Sequence, residues 1–315
     1  MSHKVMVCVL AFGVFSSCAL SQGGPFQDSV AGYEVATEAA LRSIPAEWVD
    51  LARSSFRIAY QHTSHGTHIP YGLFGLQDYK AGDATLFGVS NNAATPQPGK
   101  LDFHDYGIPG TYPDLSQADG HWSAWLEQNR TFLDHPDNAG INVVMWSWCS
   151  INGHDAQAYL DSMQTLIDEY GPGGSKIGTA AGDTRTTPLT FIFMTGHAET
   201  YNTGYRQPAD QAALITDYCR ERGYWCLDYY SIETHDLSGR YWSDASDDSN
   251  SASYGGNYFA DWQGEHDEGV DWFLNLGAPG GSENYGQHLS QHITSNRKAY
   301  AFWFLLARMA GWDGR

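Results

Sequence analysis

Basic residues are scarce in this chain: 17 Lys and Arg stand against 36 Asp and Glu, a formal net charge of −19 over 315 residues. An acidic balance of this size repels the phosphates of nucleic acid and anionic lipid surfaces and leaves neutral or cationic partners. Long apolar runs are also lacking. Val5 to Phe15 is too short to span a bilayer as a helix, and no later stretch is longer, so no membrane insertion is expected. Cysteine is sparse, with five residues, and two of them, Cys8 and Cys18, fall in the amino-terminal segment. Of the other three, Cys219 and Cys226 flank a helix-to-strand corner that a disulfide could bridge in an oxidising compartment. Cys149 is then unpaired, either a small buried hydrophobe or a group at the edge of an active site.

What is present begins with a leader. Met1-Ser2-His3-Lys4, the apolar Val5 to Phe15 and the small residues Ser16-Ser17-Cys18-Ala19-Leu20-Ser21 have the organisation of a secretory signal peptide cleaved near Ser21, with a lipoprotein signal at Cys18 as the alternative. An exported product is expected. Residues 22–315 fall within the range of a single α/β domain with one substantial core.

The remaining pattern alternates helix and strand. Helices are expected at Ala36 to Ser54, Trp122 to His135, Ala156 to Tyr170, Gln207 to Arg222 and Asn296 to Ala310, the last capped by Thr294 or Ser295. Strands are expected at Arg57 to Gln61, Asn142 to Trp148, Leu189 to Met194 and Trp225 to Tyr230. Such alternation predicts a three-layer α/β/α domain with a parallel central sheet covered on both faces. Two stretches have no periodicity. One is Tyr71 to Ala118; the other, Ser238 to Asn284, is dense in Asp, Ser, Gly and aromatics. A segment of that length is functional or mobile. Tyr241, Trp242, Tyr254, Tyr258, Phe259, Trp262 and Trp272 either stack on sugar rings in a cleft or form a satellite core under the loop. Asp244, Asp247 and Asp248 lack the ordered spacing of an EF-hand and suit a solvated turn better than a calcium site.

Chemistry concentrates at strand exits, where open parallel sheets bind ligands. The apolar Phe56-Arg57-Ile58-Ala59-Tyr60 run ends in Gln61-His62-Thr63-Ser64-His65-Gly66. There Ser64 is the leading nucleophile, because a hydroxyl attacks only when a nearby base takes its proton and histidine is the usual base. Helix capping by Thr63 and Ser64 is the alternative reading. His288 and His292 lie just before the last helix, opposite that loop. Gly66, Ser147, Gly196 and His197 also sit at expected strand exits and line the same pocket, joined by His62, His65 and Cys149.

A nucleophilic Ser after the first strand and a His before the final helix resemble the SGNH/GDSL hydrolase superfamily. His62-Thr63-Ser64-His65-Gly66, Met145-Trp146-Ser147-Trp148-Cys149, Met194-Thr195-Gly196-His197 and Ala307-Arg308-Met309-Ala310-Gly311-Trp312 are similar to a group of secreted bacterial members, in order from Arg57 to Trp312. The resemblance implies a flavodoxin-like fold and an ester-cleaving mechanism without a cofactor. Ser64 would attack an acyl carbonyl, and His292 or His288 would carry its proton. Backbone N–H groups after the strand and a polar group from the second strand's loop would hold the oxyanion. Two positions depart from the pattern. The Asp normally three residues before the catalytic His is Tyr285 for His288 and Leu289 for His292, leaving Glu283 as a substitute carboxylate. The Gly-x-Asn of the oxyanion loop is replaced by Ser147-Trp148-Cys149, leaving Asn152 as a substitute amide.

The expected activity is hydrolysis of a neutral ester, an acylated (acetylated) carbohydrate by preference. Two other readings stand beside it. His62, His65 and His68, spaced three apart, could hold a divalent transition metal for hydrolytic or lyase attack on a polysaccharide. A degenerate scaffold could instead bind glycan without catalysis.

Overall fold

The computed structural model describes residues 29–200 and 204–314. The leader expected at residues 1–21 lies outside the described residues. The chain runs β1 (Val30–Ala31), α1 (Glu38–Ser43), α2 (Ala46–Ser55), β2 (Arg57–Gln61), α3 (His68–Leu76), α4 (Asp83–Leu86), β3 (Val89–Asn91), β4 (Leu101–Asp105), α5 (Leu115–Ala118), α6 (Trp122–Asp134), β5 (Val143–Trp146) and α7 (Ala156–Tyr170). It continues through β6 (Thr190–Met194), α8 (Pro208–Arg222), β7 (Trp225–Leu227), α9 (Tyr229–Thr234), the short hairpin strands β8 (Asn250–Ser251) and β9 (Gly256–Asn257), α10 (Tyr258–Gly264) and α11 (Ile293–Ala310).

Seven strands form one parallel sheet in the order β1-β7-β6-β5-β2-β4-β3. Counted from β2, the inner five follow the flavodoxin-like order, in which the chain starts at one strand, adds a neighbour on one side and then extends on the other. The strands are apolar at nearly every position because both faces are covered. Ile58, Tyr60, Val143, Met145, Ile192, Met194 and Leu227 face α1, α2, α3 and α11, whereas Ala59, Val144, Trp146, Phe191, Phe193 and Cys226 face α6, α7 and α8. The result is the three-layer α/β/α fold that the alternation predicts.

Several local expectations change. The single helix expected at Ala36 to Ser54 is two helices, because Pro45 offers no N–H and stands at the start of α2. Tyr71 to Ala118 is not structureless: it holds most of α3 together with α4, β3, β4 and α5. Cys219 and Cys226 are buried free thiols rather than a disulfide. Trp242, Tyr258 and Phe259 pack with Ala198, Ala245 and Ile293 as a satellite core, with Trp262 and Trp272 against it; Tyr241 and Tyr254 remain exposed. No helix among the described residues is long and apolar enough to cross a membrane.

Candidate active site

At the carboxyl end of β2 the chain turns through a short 3-10 segment, Ser64–Thr67, directly into α3. Three contacts set this turn. Tyr60 Oη donates to Gly66 O at 3.0 Å, Thr67 Oγ1 donates to Ser64 O at 2.8 Å, and the Tyr229 hydroxyl donates to His65 O. Gly66 packs so closely on His62 and Ser147 that a side chain there would overlap both. Its N–H donates to Thr63 O at 2.9 Å. Ser64 takes a φ of 44°, in the left-handed region that non-glycine residues seldom occupy. Such conformations persist where the surroundings over-determine them, often at functional sites. β2 is also the strand at which the order of the sheet reverses, with β4 on one side and β5 on the other.

Ser64 Oγ lies 2.5 Å from Nε2 of His288. His288 is also in the left-handed region, with a φ of 65°. Its loop is pinned on both sides. Gln287 N–H donates to Thr67 Oγ1 at 2.9 Å and its carbonyl meets His68 Nε2 at 2.6 Å, while Ser290 donates through its N–H to Asp248 Oδ1 at 2.9 Å. His292 is turned elsewhere. Its Nδ1 accepts from Asn275 N–H at 3.0 Å, its Nε2 meets Glu283 Oε1 at 3.0 Å, and its ring lies between Trp272 and Tyr285. Of the two histidines left open by the sequence, His288 is the one facing Ser64. Glu283, considered as the substitute carboxylate, serves His292.

The second ring beside Ser64 is His65. It is stacked between His197, at 3.6 Å between ring centres, and His288, at 4.4 Å. Its Nε2 is 2.5 Å from Asp247 Oδ1, and its Nδ1 is 3.8 Å from the Cys149 sulfur at the exit of β5. Burial opposes a charge on His65, but the hydrogen bonds to Asp247 and Cys149 outweigh it and push the imidazole up to about 9. Asp247 is likewise opposed by burial and held below the ordinary carboxylate value by His65. Burial, reinforced by the charge on His65, brings His197 down to about 4. Asp247 thus joins the His65 cluster, a placement that its sequence context, an acidic turn in an aperiodic insertion, does not signal. Asp244 and Asp248 point away from it, toward Ser251 and Ser290.

His62, His65 and His68 do not converge. His62 is fully buried with its Nε2 2.6 Å from Asp105 Oδ1. His68, buried and brought down to about 3 by that burial, meets Tyr229 Oη at 2.5 Å and Lys298 Nζ at 2.6 Å. The triad suggested for a metal is therefore split among three hydrogen-bonded partners, because successive turns of the β2–α3 corner point its members in different directions. Among the described residues, the donor atoms that do lie within 4.8 Å of one another are those of His65, Asp247 and His288.

Beneath the site, Lys298 of α11 is wholly buried and pairs with Glu233 of α9 at 2.5 Å, and Glu233 also accepts from Ala198 N–H at 2.7 Å. Burial brings Lys298 down to about 8, while Glu233, though buried, is held well below its ordinary value by that ammonium. The backbones of three other expected pocket groups are held by their neighbours. Ser147 N–H donates to Gln61 O at 3.1 Å, Gly196 packs on Ile151, and Asn152 N–H donates to Ser150 Oγ at 3.2 Å. Two recesses of about 550 and 610 Å³ lie away from Ser64, one by Tyr33 and Asp228, the other by Arg57, Lys100 and Asn142 at the opposite end of β2. Comparison with family models, with curated proteins and with solved structures finds no match to this chain.

Proposed function

We propose that the protein is an exported serine hydrolase that cleaves an ester, with Ser64 as nucleophile and His288 as its base, as the resemblance to SGNH/GDSL hydrolases implies. The observation that carries this reading is the 2.5 Å approach of Ser64 Oγ to His288 Nε2 at the strand where the sheet order reverses. Nε2 accepts the hydroxyl proton as Oγ attacks the acyl carbonyl, then returns it to the departing alcohol; water repeats the cycle on the acyl-enzyme. Ser64 and His65 open the 3-10 turn, so their N–H groups stand outside its ladder and are the donors for the developing oxyanion. Asn152 is not needed in this scheme. An acylated carbohydrate is the favoured substrate class, supported by the exposed Tyr241 and Tyr254 on the insertion that also supplies Asp247.

The test is fluorophosphonate labelling of the folded protein, with the modified peptide mapped by mass spectrometry. Labelling at Ser64 that is lost in Ser64→Ala supports the reading. A folded protein that takes no label at Ser64 overturns it.

A further inference from the structure

Ser64 is not the only potential nucleophile at this edge of the sheet. Cys149 leaves the end of β5, the strand next to β2, and is half-buried, in contrast to the fully buried Cys219 and Cys226. Its sulfur is 3.8 Å from His65 Nδ1, and the opposite nitrogen of that ring is 2.5 Å from Asp247 Oδ1. Thiol, imidazole and carboxylate are thus joined in sequence through the two nitrogens of one ring, the arrangement in which a base is oriented by a third group. We propose that Cys149, His65 and Asp247 form a second nucleophilic relay at the same edge of the sheet, with the Cys149 thiol taking an acyl group as a thioester.

The hydrogen bonds permit one proton path. In the separated pair the thiol proton already sits on Nδ1 of His65, which donates it to the Cys149 thiolate while Nε2–H is donated to Asp247. The sulfur then attacks the carbonyl carbon of an ester, a C–S bond forms, the C–O bond to the alcohol breaks, and the alkoxide takes the proton back from Nδ1. Water afterwards cleaves the thioester, releasing the acid and restoring the thiol. No oxidant or further reactant is involved. The charged surroundings favour the separated pair: His65 hydrogen bonding holds the Cys149 thiol below its ordinary value against burial, helped by the Ser64 hydroxyl, while Asp114 opposes. Asp247 and Glu233 favour a cationic His65, and His197 and His288 cover its two faces.

The relay adjoins the Ser64 pair, and two probes separate the two reactions. Iodoacetamide reads the thiol and fluorophosphonate reads the hydroxyl. In the full chain, Cys149 is expected to alkylate at about pH 6 at least roughly tenfold faster than free cysteine, with Cys219 and Cys226 unmodified as internal references. His65→Gln should slow it by about tenfold and restore the pH profile of an ordinary thiol. Asp247→Asn provides the same comparison where the His65 variant does not fold. Exposure of Ser64→Ala to p-nitrophenyl acetate followed by an acid quench should leave an acetyl group on Cys149. An ordinary thiol profile unchanged by both variants, or no acetyl adduct on Cys149, overturns the proposal.

Discussion

At the scale of single residues, the two histidines before α11 are distinguished by what each already holds. His288 offers Nε2 to Ser64, whereas both ring nitrogens of His292 are occupied, by Asn275 and Glu283. His288→Gln is therefore expected to lower the fluorophosphonate labelling rate about 100-fold or more, the scale of a lost general base. His292→Gln should leave that rate within about threefold and instead cost roughly 1–3 kcal/mol of stability, since it leaves the buried N–H of Asn275 unsatisfied. Comparing labelling rates and urea midpoints of the two variants checks both statements, and equal loss of labelling in the two would refute the assignment of His288. The residue types were legible from sequence, because Ser64, His65 and Cys149 are reactive groups at strand exits and His288 lies just before the last helix. Their pairing was not. Asp247 reaches His65 across 182 positions, and no local pattern marks which of three neighbouring acids will do so.

At the scale of elements, legibility followed burial. β2, β5 and β6 are apolar runs bounded by turns, and α7 has one continuous apolar face, so their positions are plain in the sequence. β4 alternates apolar and polar residues only over Leu101-Asp102-Phe103-His104 and β3 has only three residues, and both lie in a stretch rich in Gly, Pro and Asn that hides so short a signal. α3 contains Pro70, Gly72 and Gly75, all poor helix formers, and is held by tertiary contact instead. The start of α11 illustrates the same limit. It begins at Ile293, with Thr294 and Ser295 buried inside its first turn, because Gln263 of α10 accepts the N–H groups of His292 and Ile293. A cap supplied from another element leaves no local signature. The α3–α11 contact depends on Gly72, whose Cβ would overlap the carbonyl of Ser295. Gly72→Ala should therefore cost on the order of 1–3 kcal/mol, through forced separation of the helices. Because α3 follows Ser64 and α11 follows His288, the same variant should slow labelling at Ser64. A urea midpoint equal to that of the parent protein would show that the helices do not meet as described.

At the scale of the whole molecule, the buried imidazoles set the response to pH. His68 and His197, at about 3 and about 4, lie below the 6.5 of an unperturbed histidine, so the unfolded chain binds protons that the folded one refuses. Stability therefore falls as pH drops from 6.5 toward 4. His65, raised to about 9, acts in the other window: its contribution is complete below 6.5 and is lost as pH rises toward 9. Lys298, lowered to about 8, offsets that loss above its own value. Urea midpoints measured across this range should be highest near 6.5, and a midpoint that stays level down to pH 4 would contradict neutral buried imidazoles. The sheet and the reactive edge also differ in how far apart along the chain their parts are. Ser64 and His288 are 224 positions apart, and between them lie five of the seven strands and the whole aromatic insertion. Their hydrogen bond closes a loop over most of the polypeptide, and the entropy of that closure weighs against its forming early. Covalent capture at Ser64 during refolding would then act as a clock for a late event of assembly, and a single backbone cut in the insertion would silence it while leaving the parallel sheet intact.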